Sequence, residues 1–424
     1  MPILSVKNKI LFPIILGFVL LGFSCNQSKS ETNNEKNAAL LNYDSQNSVT
    51  NENKPIVVGA NQIELYLSLI SGKKVGIVAN QTSVIFTNTE SQNTYTHLVD
   101  SLLSLNVNVT KVFAPEHGFR GTADAGELIK DGIDTKTSLP IISLYGNNKK
   151  PSIDQLKNID IVIFDIQDVG ARFYTYISTL HYVMEACAEV NIELIILDRP
   201  NPNGHYVDGP VLEMAHKSFV GMHPIPVVHG MSIGEYAQMI NGEGWLENSV
   251  RCKLNIIPVK YYKRNLAYSL PIKPSPNLPN NAAINLYPSL CFFEGTNVNA
   301  GRGTSKQFQI FGSPYLDKTV FEFKYIPHPN EGAKNPKHNG VLCYGMDLSE
   351  QASLSHLDLN FLIVAYQNTI DKPKFFNDFF TKLAGNTTLQ KQIENGMRFN
   401  EIKAGWQKDL EQFKKMRQPY LLYD

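Results

Sequence analysis

The sequence predicts an α/β protein, with a Rossmann-like parallel sheet domain followed by a smaller α+β domain. From Lys73 onward, short apolar β-branched runs alternate with amphipathic stretches, which is the pattern of a parallel sheet covered by helices. The runs are almost continuously apolar, as expected for strands that are buried on both faces. A proline-rich stretch from Leu270 to Pro279 then separates this region from a less regular remainder.

The N-terminus predicts an export signal. Lys7 and Lys9 precede an apolar stretch, residues 10–23, that is short for a transmembrane span. Small residues before Cys25 resemble the lipobox of bacterial lipoproteins, so we expect a signal peptide over residues 1–25 and lipidation at Cys25. A plain secretory signal with an incidental cysteine is the alternative. We therefore expect a membrane-anchored lipoprotein of the cell envelope, periplasmic or at the outer membrane.

The polar residues 26–54 predict a disordered tether, since they contain too few apolar side chains to form a core. A Rossmann-like catalytic domain is expected over residues 55–280, and a C-terminal α+β domain that completes a cleft over residues 281–424. Five candidate strands in the first domain are Lys74–Ala79, Val109–Ala114, Pro140–Leu144, Ile159–Phe164 and Ile192–Leu197.

Amphipathic spacing predicts helices between these strands and in the C-terminal region. Leu98, Leu102 and Leu105 mark one helix, and the repeat from Leu180 to Cys187 marks another. The remaining elements expected are a helix at Ser232–Leu246, a strand at Leu254–Val259, and helices at Asp358–Gln367, Phe375–Leu383 and Leu389–Phe413.

Composition excludes several classes of function. The 39 Lys and Arg residues balance 39 Asp and Glu residues, so no basic field indicates a nucleic-acid partner. Asn80-Gln81-Thr82 follows the first strand in place of a Gly-x-Gly-x-x-Gly fingerprint, so we expect no nucleotide cofactor. The ten histidines lack ligand spacing such as His-Glu-x-x-His, so we expect no metal. Four cysteines are expected to be buried, although one disulfide is possible: Cys187, Cys252, Cys291 and Cys343.

Polar residues follow most of the candidate strands. Ligands of open α/β sheets bind beyond the carboxyl ends of the strands, so these residues should converge on one site. They are Asn80 after the first strand, Glu116, His117 and Arg120 after the second, Asp165, Gln167, Asp168 and Arg172 after the fourth, and Asp198, Arg199, Asn201 and Asn203 after the fifth.

Glu116 is the leading catalytic candidate. It follows Pro115 at a strand end and has apolar neighbours, Phe113, Ala114 and Phe119, which disfavour a charged carboxylate. A carboxyl group that keeps its proton near neutral pH can protonate a glycosidic oxygen as a general acid. By itself Glu116 could equally be a surface residue beside a turn glycine. The surrounding polar cluster favours the catalytic interpretation.

Glycoside hydrolysis usually requires a second carboxylate. Asp168 is paired with Glu116 as the catalytic candidate, while Asp165, Asp198 and Glu294 remain alternatives. A substrate with a 2-acetamido group could also supply its own nucleophile. The sequence does not distinguish retention from inversion.

Three arginines and two histidines are candidates for substrate contact. Arg120, Arg172 and Arg302 could each hold a carboxylate through a guanidinium fork, or form a structural ion pair. Gly301 and Gly303 around Arg302 indicate a close approach of the backbone. His117 and His229 could orient substrate or be satisfied buried histidines.

Tyr174 and Tyr176 could stack on a sugar face, although aromatic residues at a helix start are more often part of a core. Gly230-Met-Ser-Ile-Gly234 matches the nucleophile elbow of serine esterases. Ser232 with Glu235 also fits a helix capping box, which requires no catalytic triad, and we prefer that interpretation.

Several segments together resemble the exo-β-N-acetylmuramidase NamZ family. They are Phe113-Ala-Pro-Glu-His-Gly-Phe-Arg-Gly121, Phe164-Asp-Ile-Gln-Asp-Val-Gly-Ala-Arg-Phe-Tyr-Thr-Tyr176, Asp198-Arg-Pro-Asn-Pro-Asn-Gly204, Pro274-Ser-Pro-Asn-Leu-Pro279, Phe293-Glu-Gly-Thr296, Gly301-Arg-Gly-Thr304 and the segment from Trp406 to Tyr423.

The resemblance implies a Rossmann-like domain and a smaller domain that meet at a cleft, with release of terminal non-reducing N-acetylmuramic acid from peptidoglycan fragments. The family's catalytic glutamate falls on Glu116. The residues then expected to contact the sugar, including its lactyl carboxylate, are Asn80, His117, Arg120, Arg172, Tyr174, Asn201, His229, Asn277, Glu294 and Arg302. Two alternatives remain: a serine esterase that uses Ser232, and a muropeptide-binding lipoprotein without catalysis.

Overall fold

The structure is a computed structural model that describes residues 54–120 and 131–424. Cys25, the signal peptide and the tether up to residue 53 lie outside the described residues. Residues Lys54–Asp424 form one compact unit by their internal contacts. The division at residue 280 stays a prediction. Across the part of the chain that is described, no helix combines the length and the apolar character needed to cross a membrane.

Most of the strands form one large, mostly parallel sheet. In chain order the strands are β1 (Val75–Ala79), β2 (Val84–Phe86), β3 (Tyr95–His97), β4 (Val109–Ala114), β5 (Gly132–Ile133), β6 (Pro140–Ser143), β7 (Ile161–Asp165), β8 (Glu193–Leu197), β9 (Leu254–Ile257), β10 (Ile310–Ser313), β11 (Phe323–Tyr325) and β12 (Cys343–Asp347). Among the described residues the large sheet has seven strands in the order β5-β6-β4-β1-β7-β8-β9, and only the edge strand β5 runs antiparallel to its neighbour.

The six parallel strands follow the doubly wound order, with the third, second and first on one side and the fourth, fifth and sixth on the other. The order reverses between β1 and β7, and ligands of such sheets bind near this point, outside the carboxyl ends of the strands. The predicted Rossmann-like fold class is confirmed. The smaller antiparallel sheet β10-β12-β11 belongs to the C-terminal region.

Both faces of the large sheet are buried, which explains the continuous apolar runs of its strands. Alternate residues of β7 enter opposite cores: Ile161 and Ile163 enter one, and Val162 and Phe164 enter the other. Side chains of a strand point alternately to its two faces, so both sets must be apolar. The four cysteines of the described residues are buried and free.

Helices cover the sheet and form most of the C-terminal region. In chain order they are α1 (Ile63–Ile70), α2 (Leu98–Ser104), α3 (Ile153–Leu156), α4 (Tyr176–Glu189), α5 (Ile233–Gly242), α6 (Asn281–Leu290), α7 (Asn360–Gln367), α8 (Phe379–Ala384), α9 (Thr388–Glu394), α10 (Phe399–Gly405) and α11 (Gln407–Arg417). The single helix predicted over Leu389–Phe413 is wrong, because the chain breaks into α9, α10 and α11. Gly396, just after α9, has a left-handed φ of 73° that ends a helix.

Candidate active site

A pocket of about 240 Å³ holds Glu116, which follows strand β4. Aromatic side chains form much of its wall, and the polar groups are few, as is usual for a site that binds a small organic ligand. The lining residues are Glu116, His117, Tyr145, Phe173, Tyr174, Thr175, Phe219, Val220, Ser275, Asn277, Leu278, Tyr287, Cys291, Glu294, Arg302, Phe308, Phe379 and Leu383.

A sharp turn after β4 presents Glu116 to the pocket. The amide of Gly118 donates to the carbonyl of Pro115 at 3.0 Å. His117 and Gly118 both have positive φ, at 70° and 80°. A left-handed conformation is uncommon for a residue other than glycine, although histidine adopts it more often than most. The turn therefore resembles the strained turns that position catalytic side chains in other enzymes.

Two hydroxyl groups hold the half-buried Glu116 carboxylate. Thr175 donates from Oγ1 to Oε2 of Glu116 at 2.6 Å, and the Tyr145 hydroxyl also hydrogen-bonds the carboxylate. Burial and then the charge of Glu116 raise the pKa of Tyr145, so Tyr145 remains a neutral donor. Thr175 is the N-cap residue of α4, yet its hydroxyl makes no capping bond. The Thr175 hydroxyl donates to Glu116 instead.

The opposite side of the pocket carries an ion pair and an amide. Arg302 donates from Nη1 to Oε1 of Glu294 at 3.1 Å and from Nη2 to the carbonyl of Gly332 at 3.2 Å. Asn277 donates to the same carbonyl at 2.6 Å. Glu294 belongs to the 3-10 helix Cys291–Gly295. These contacts join three segments of the C-terminal half of the chain.

The glycines on both sides of Arg302 are required by the backbone. Gly301 and Gly303 have φ of 76° and 82°. A Cβ at Gly301 would lie 2.4 Å from the carbonyl oxygen of Lys306, and one at Gly303 would lie 2.6 Å from Cβ of Pro336. The close approach predicted from these glycines is present, and it sets the direction from which Arg302 enters the pocket.

The structure therefore brings together Glu116, His117, Tyr174, Asn277, Glu294 and Arg302 of the predicted set. Tyr145, Thr175 and the aromatic residues of the wall other than Tyr174 were not predicted. Tyr145 follows the third candidate strand, so the rule that polar residues follow strand ends applies to it as well. Thr175 lies inside a segment that carried the family resemblance, but no pattern distinguished it from its neighbours.

Asp168, predicted to be catalytic, and His229, predicted to contact substrate, do not line the pocket. Both are buried in the protein interior. Asp168 accepts from the amide of Gly170 at 2.7 Å, and burial raises its pKa to about 7. Oδ2 of Asp168 lies 3.8 Å from Nε2 of His229, whose pKa is lowered to about 3 by burial and by nearby Arg417. The two side chains therefore contact each other within the protein core.

Arg172 is also buried, because packing has turned its side chain inward. It is 0% exposed and donates to the carbonyls of Pro210, Ile225, Leu383 and Ala384 at 2.7 to 2.9 Å. A guanidinium used in this way cannot hold a substrate carboxylate. Arg172 instead ties the loop after β7 to the end of α8.

Arg120, Asn201 and Asn80 likewise make structural contacts outside the pocket. Arg120 pairs with Asp134 at 2.8 Å and lies over the ring of Phe119. Asn201 is buried and donates to the carbonyl of Met231 at 2.9 Å. Asn80 is 0% exposed, and its side-chain oxygen accepts from both the amide and the hydroxyl of Thr82. The structure thus does not support direct contact of these three with a sugar in the pocket.

The predicted capping box at Ser232 is present. Ser232 accepts from the amide of Glu235, and Glu235 accepts from the amide of Ser232 at 2.9 Å. The Ser232 hydroxyl also donates to Asp198 at 2.6 Å and is buried. The bond from the Glu235 amide is that of a helix cap, and the Asp198 carboxylate is the second partner of the hydroxyl.

Comparison with known proteins identifies matching families and relatives. Residues 75–282 match the family described as exo-beta-N-acetylmuramidase NamZ, N-terminal, and residues 285–423 match the corresponding C-terminal family. The chain is similar to the peptidoglycan beta-N-acetylmuramidase NamZ of Bacillus subtilis strain 168, with 38% identity over 377 residues that cover 84% of this chain and 89% of that protein.

Two crystal structures of DUF1343 family proteins from Bacteroides fragilis NCTC 9343 are also similar. The first has a TM-score of 0.79 and 46% identity, over 88% of this chain and 99% of that chain. The second has a TM-score of 0.71 and 28% identity, over 87% of this chain and 99% of that chain.

Proposed function

The chain belongs to the exo-β-N-acetylmuramidase NamZ family, a family of glycoside hydrolases, and we propose that it releases terminal non-reducing N-acetylmuramic acid from peptidoglycan fragments. One observation carries the proposal for this chain. Glu116 projects from a strained turn into an aromatic-walled pocket and is held there by Thr175 and Tyr145. A carboxyl group fixed in this way suits proton transfer to a leaving sugar.

In the proposed reaction, Glu116 donates its proton to the glycosidic oxygen as the bond to the anomeric carbon breaks. The Glu116 carboxylate then takes a proton from the water that completes hydrolysis. Of the carboxylates considered for a second role, Glu294 lines the pocket, whereas Asp168, Asp165 and Asp198 are buried elsewhere.

Substrate recognition is proposed to depend on the pocket walls. Aromatic rings of the wall provide apolar surface for the faces of a sugar, and Tyr174 is one of them. Of the three arginines considered for carboxylate recognition, Arg302 is the one on the pocket wall. The lactyl carboxylate of N-acetylmuramic acid is the substrate group that a guanidinium would recognise.

The test uses Glu116→Gln, which keeps the size of the side chain and removes its acid. We expect release of N-acetylmuramic acid from a defined muramic disaccharide, followed by proton NMR, to fall by about a hundredfold or more. Glu213→Gln is the matched control, since the Glu213 side chain is 59% exposed and outside the pocket. Undiminished turnover by Glu116→Gln would refute the role of Glu116.

We also propose that the protein is a lipoprotein of the cell envelope, anchored through Cys25 and the tether over residues 26–54, with a catalytic domain over 55–280 and a C-terminal domain over 281–424. The signal-like N-terminus supports the anchor. Radiolabelled palmitate should enter the wild-type protein and not Cys25→Ser. Equal labelling of both would contradict the anchor.

A further inference from the structure

A second cavity of about 210 Å³ adjoins the Glu116 pocket. The two share Glu294, Arg302 and Phe379 in their walls. The rest of the second cavity is lined by Val298, Asn299, Ala300, Asn335, Pro336 and Lys337. The Arg302–Glu294 ion pair therefore borders both spaces.

Lys337 gives the second cavity a positive charge. Its ammonium group donates to the carbonyls of Phe293 and Val298, each at 3.0 Å, and to that of Thr296. Carbonyl groups satisfy the donors but leave the charge in place. Within residues 54–120 and 131–424, Lys337 forms no ion pair, although the Glu294 carboxylate lines the same cavity and attracts its charge from a greater distance. Burial lowers the pKa of Lys337 to about 8, so most of the ammonium stays protonated at neutral pH.

Asn299 supports the backbone of the second cavity. The side-chain amide of Asn299 donates to the backbone carbonyls of Arg302 and Lys337, and these bonds hold in place the backbone that carries both cationic side chains. A partly buried cation is stabilised by a counter-charge more strongly than an exposed one, because less water screens the pair. Glu294 is paired with Arg302 at 3.1 Å, so a carboxylate that enters from the first pocket would meet the remaining positive charge of the cavity, that of Lys337.

We propose that the second cavity binds the carboxylate of the lactyl group of the terminal N-acetylmuramic acid, while the sugar ring occupies the pocket of Glu116. The inference rests on the proposed function and adds to it the place where the acidic substituent is recognised. The enzyme then distinguishes N-acetylmuramic acid from N-acetylglucosamine because the positive charge of Lys337 attracts the lactyl carboxylate, which N-acetylglucosamine lacks.

The experiment compares two muramosides that share one leaving group and differ only at the lactyl group, which is either a free carboxylate or its primary carboxamide. Asn335→Asp adds a negative charge to the lining of the second cavity at an exposed position, where folding should be unaffected. Asn339→Asp makes the same substitution at an exposed residue nearby that does not line the cavity, and serves as the control.

We expect the wild-type enzyme to have a higher kcat/KM for the carboxylate substrate. One added charge in a partly hydrated cavity should reduce that preference in Asn335→Asp by about fivefold. Asn339→Asp should retain the wild-type preference. If Asn335→Asp also retains it, the carboxylate binds elsewhere and the inference is overturned. Absence of turnover for both substrates would instead refute the proposed function.

Discussion

Replacing Thr175 with valine tests whether the Thr175 hydroxyl holds the Glu116 carboxyl group in the position that catalysis requires. Valine keeps the branched shape and removes the donor that lies 2.6 Å from the Glu116 carboxylate. The Glu116 carboxyl group is neutral when it acts as the acid, and a hydrogen bond between neutral groups contributes about 0.5 to 1.5 kcal/mol. At about 1.4 kcal/mol for each factor of ten, its loss should lower kcat/KM for a muramic disaccharide by roughly two- to tenfold.

The assay should compare two leaving groups, because an acid catalyst matters most where the leaving oxygen needs a proton. A sugar leaving group requires protonation, whereas an activated aryl leaving group departs largely without it. We therefore expect Thr175→Val to lose much more activity on the disaccharide than on an aryl muramoside. Thr175→Ser, which keeps the hydroxyl, should restore most of the loss.

The folding of Thr175→Val should stay close to that of the wild type. The Thr175 hydroxyl makes no capping bond to α4, so its removal leaves the helix start intact. Denaturant unfolding can verify this for the same preparations. Equal losses on both substrates, or no loss on the disaccharide, would refute the idea that Thr175 positions an acid.

Three further substitutions test the structural roles assigned above. Arg172→Met should lower the free energy of unfolding by about 3 to 5 kcal/mol, because four buried carbonyls lose their donor; an unchanged denaturant midpoint would contradict this. Gly303→Ala should destabilise the protein, since φ is 82° and the new Cβ would meet Pro336; an unchanged melting temperature would contradict it. In the wild type, the raised pKa of Asp168 means that the folded protein holds a proton that the unfolded chain loses. The free energy of unfolding should therefore fall as pH rises from about 4 to about 7, by at most about 1.4 kcal/mol per pH unit. Asp168→Asn has no group that titrates at this position, so its free energy of unfolding relative to that of the wild type should increase over that pH range. If denaturant unfolding at about pH 4 and at about pH 7 gave the same difference between the two proteins, the prediction would be contradicted.

The sheet could be predicted from the sequence because its strands are buried on both faces. A run such as Ile161–Asp165 must be apolar at consecutive positions, and that requirement is visible without coordinates. The bounds differ from the prediction by one or two residues. The division of the C-terminal helical segment was missed, since Gly396 lies within a long amphipathic pattern that obscured the break.

The candidate site was predictable only in part. Glu116 and Arg302 were recognised by their residue type and their surroundings: Glu116 follows a strand end within a polar cluster, and glycines flank Arg302. Arg172 was assigned to the substrate on the same grounds, although it serves the core. A polar residue after a strand can point into the cleft or into the interior, and its own neighbours in the chain do not decide which.

The sequence alone determined the α/β class, the strand-end position of Glu116 and the capping box at Ser232, because each depends on residues that are close together in the chain. The tertiary structure decided which polar side chains meet in the pocket. Arg172 is turned inward by carbonyls more than 200 positions away at Leu383 and Ala384, with separations of 211 and 212 residues. Contacts over such distances arise from the packing of whole segments, so no local pattern records them.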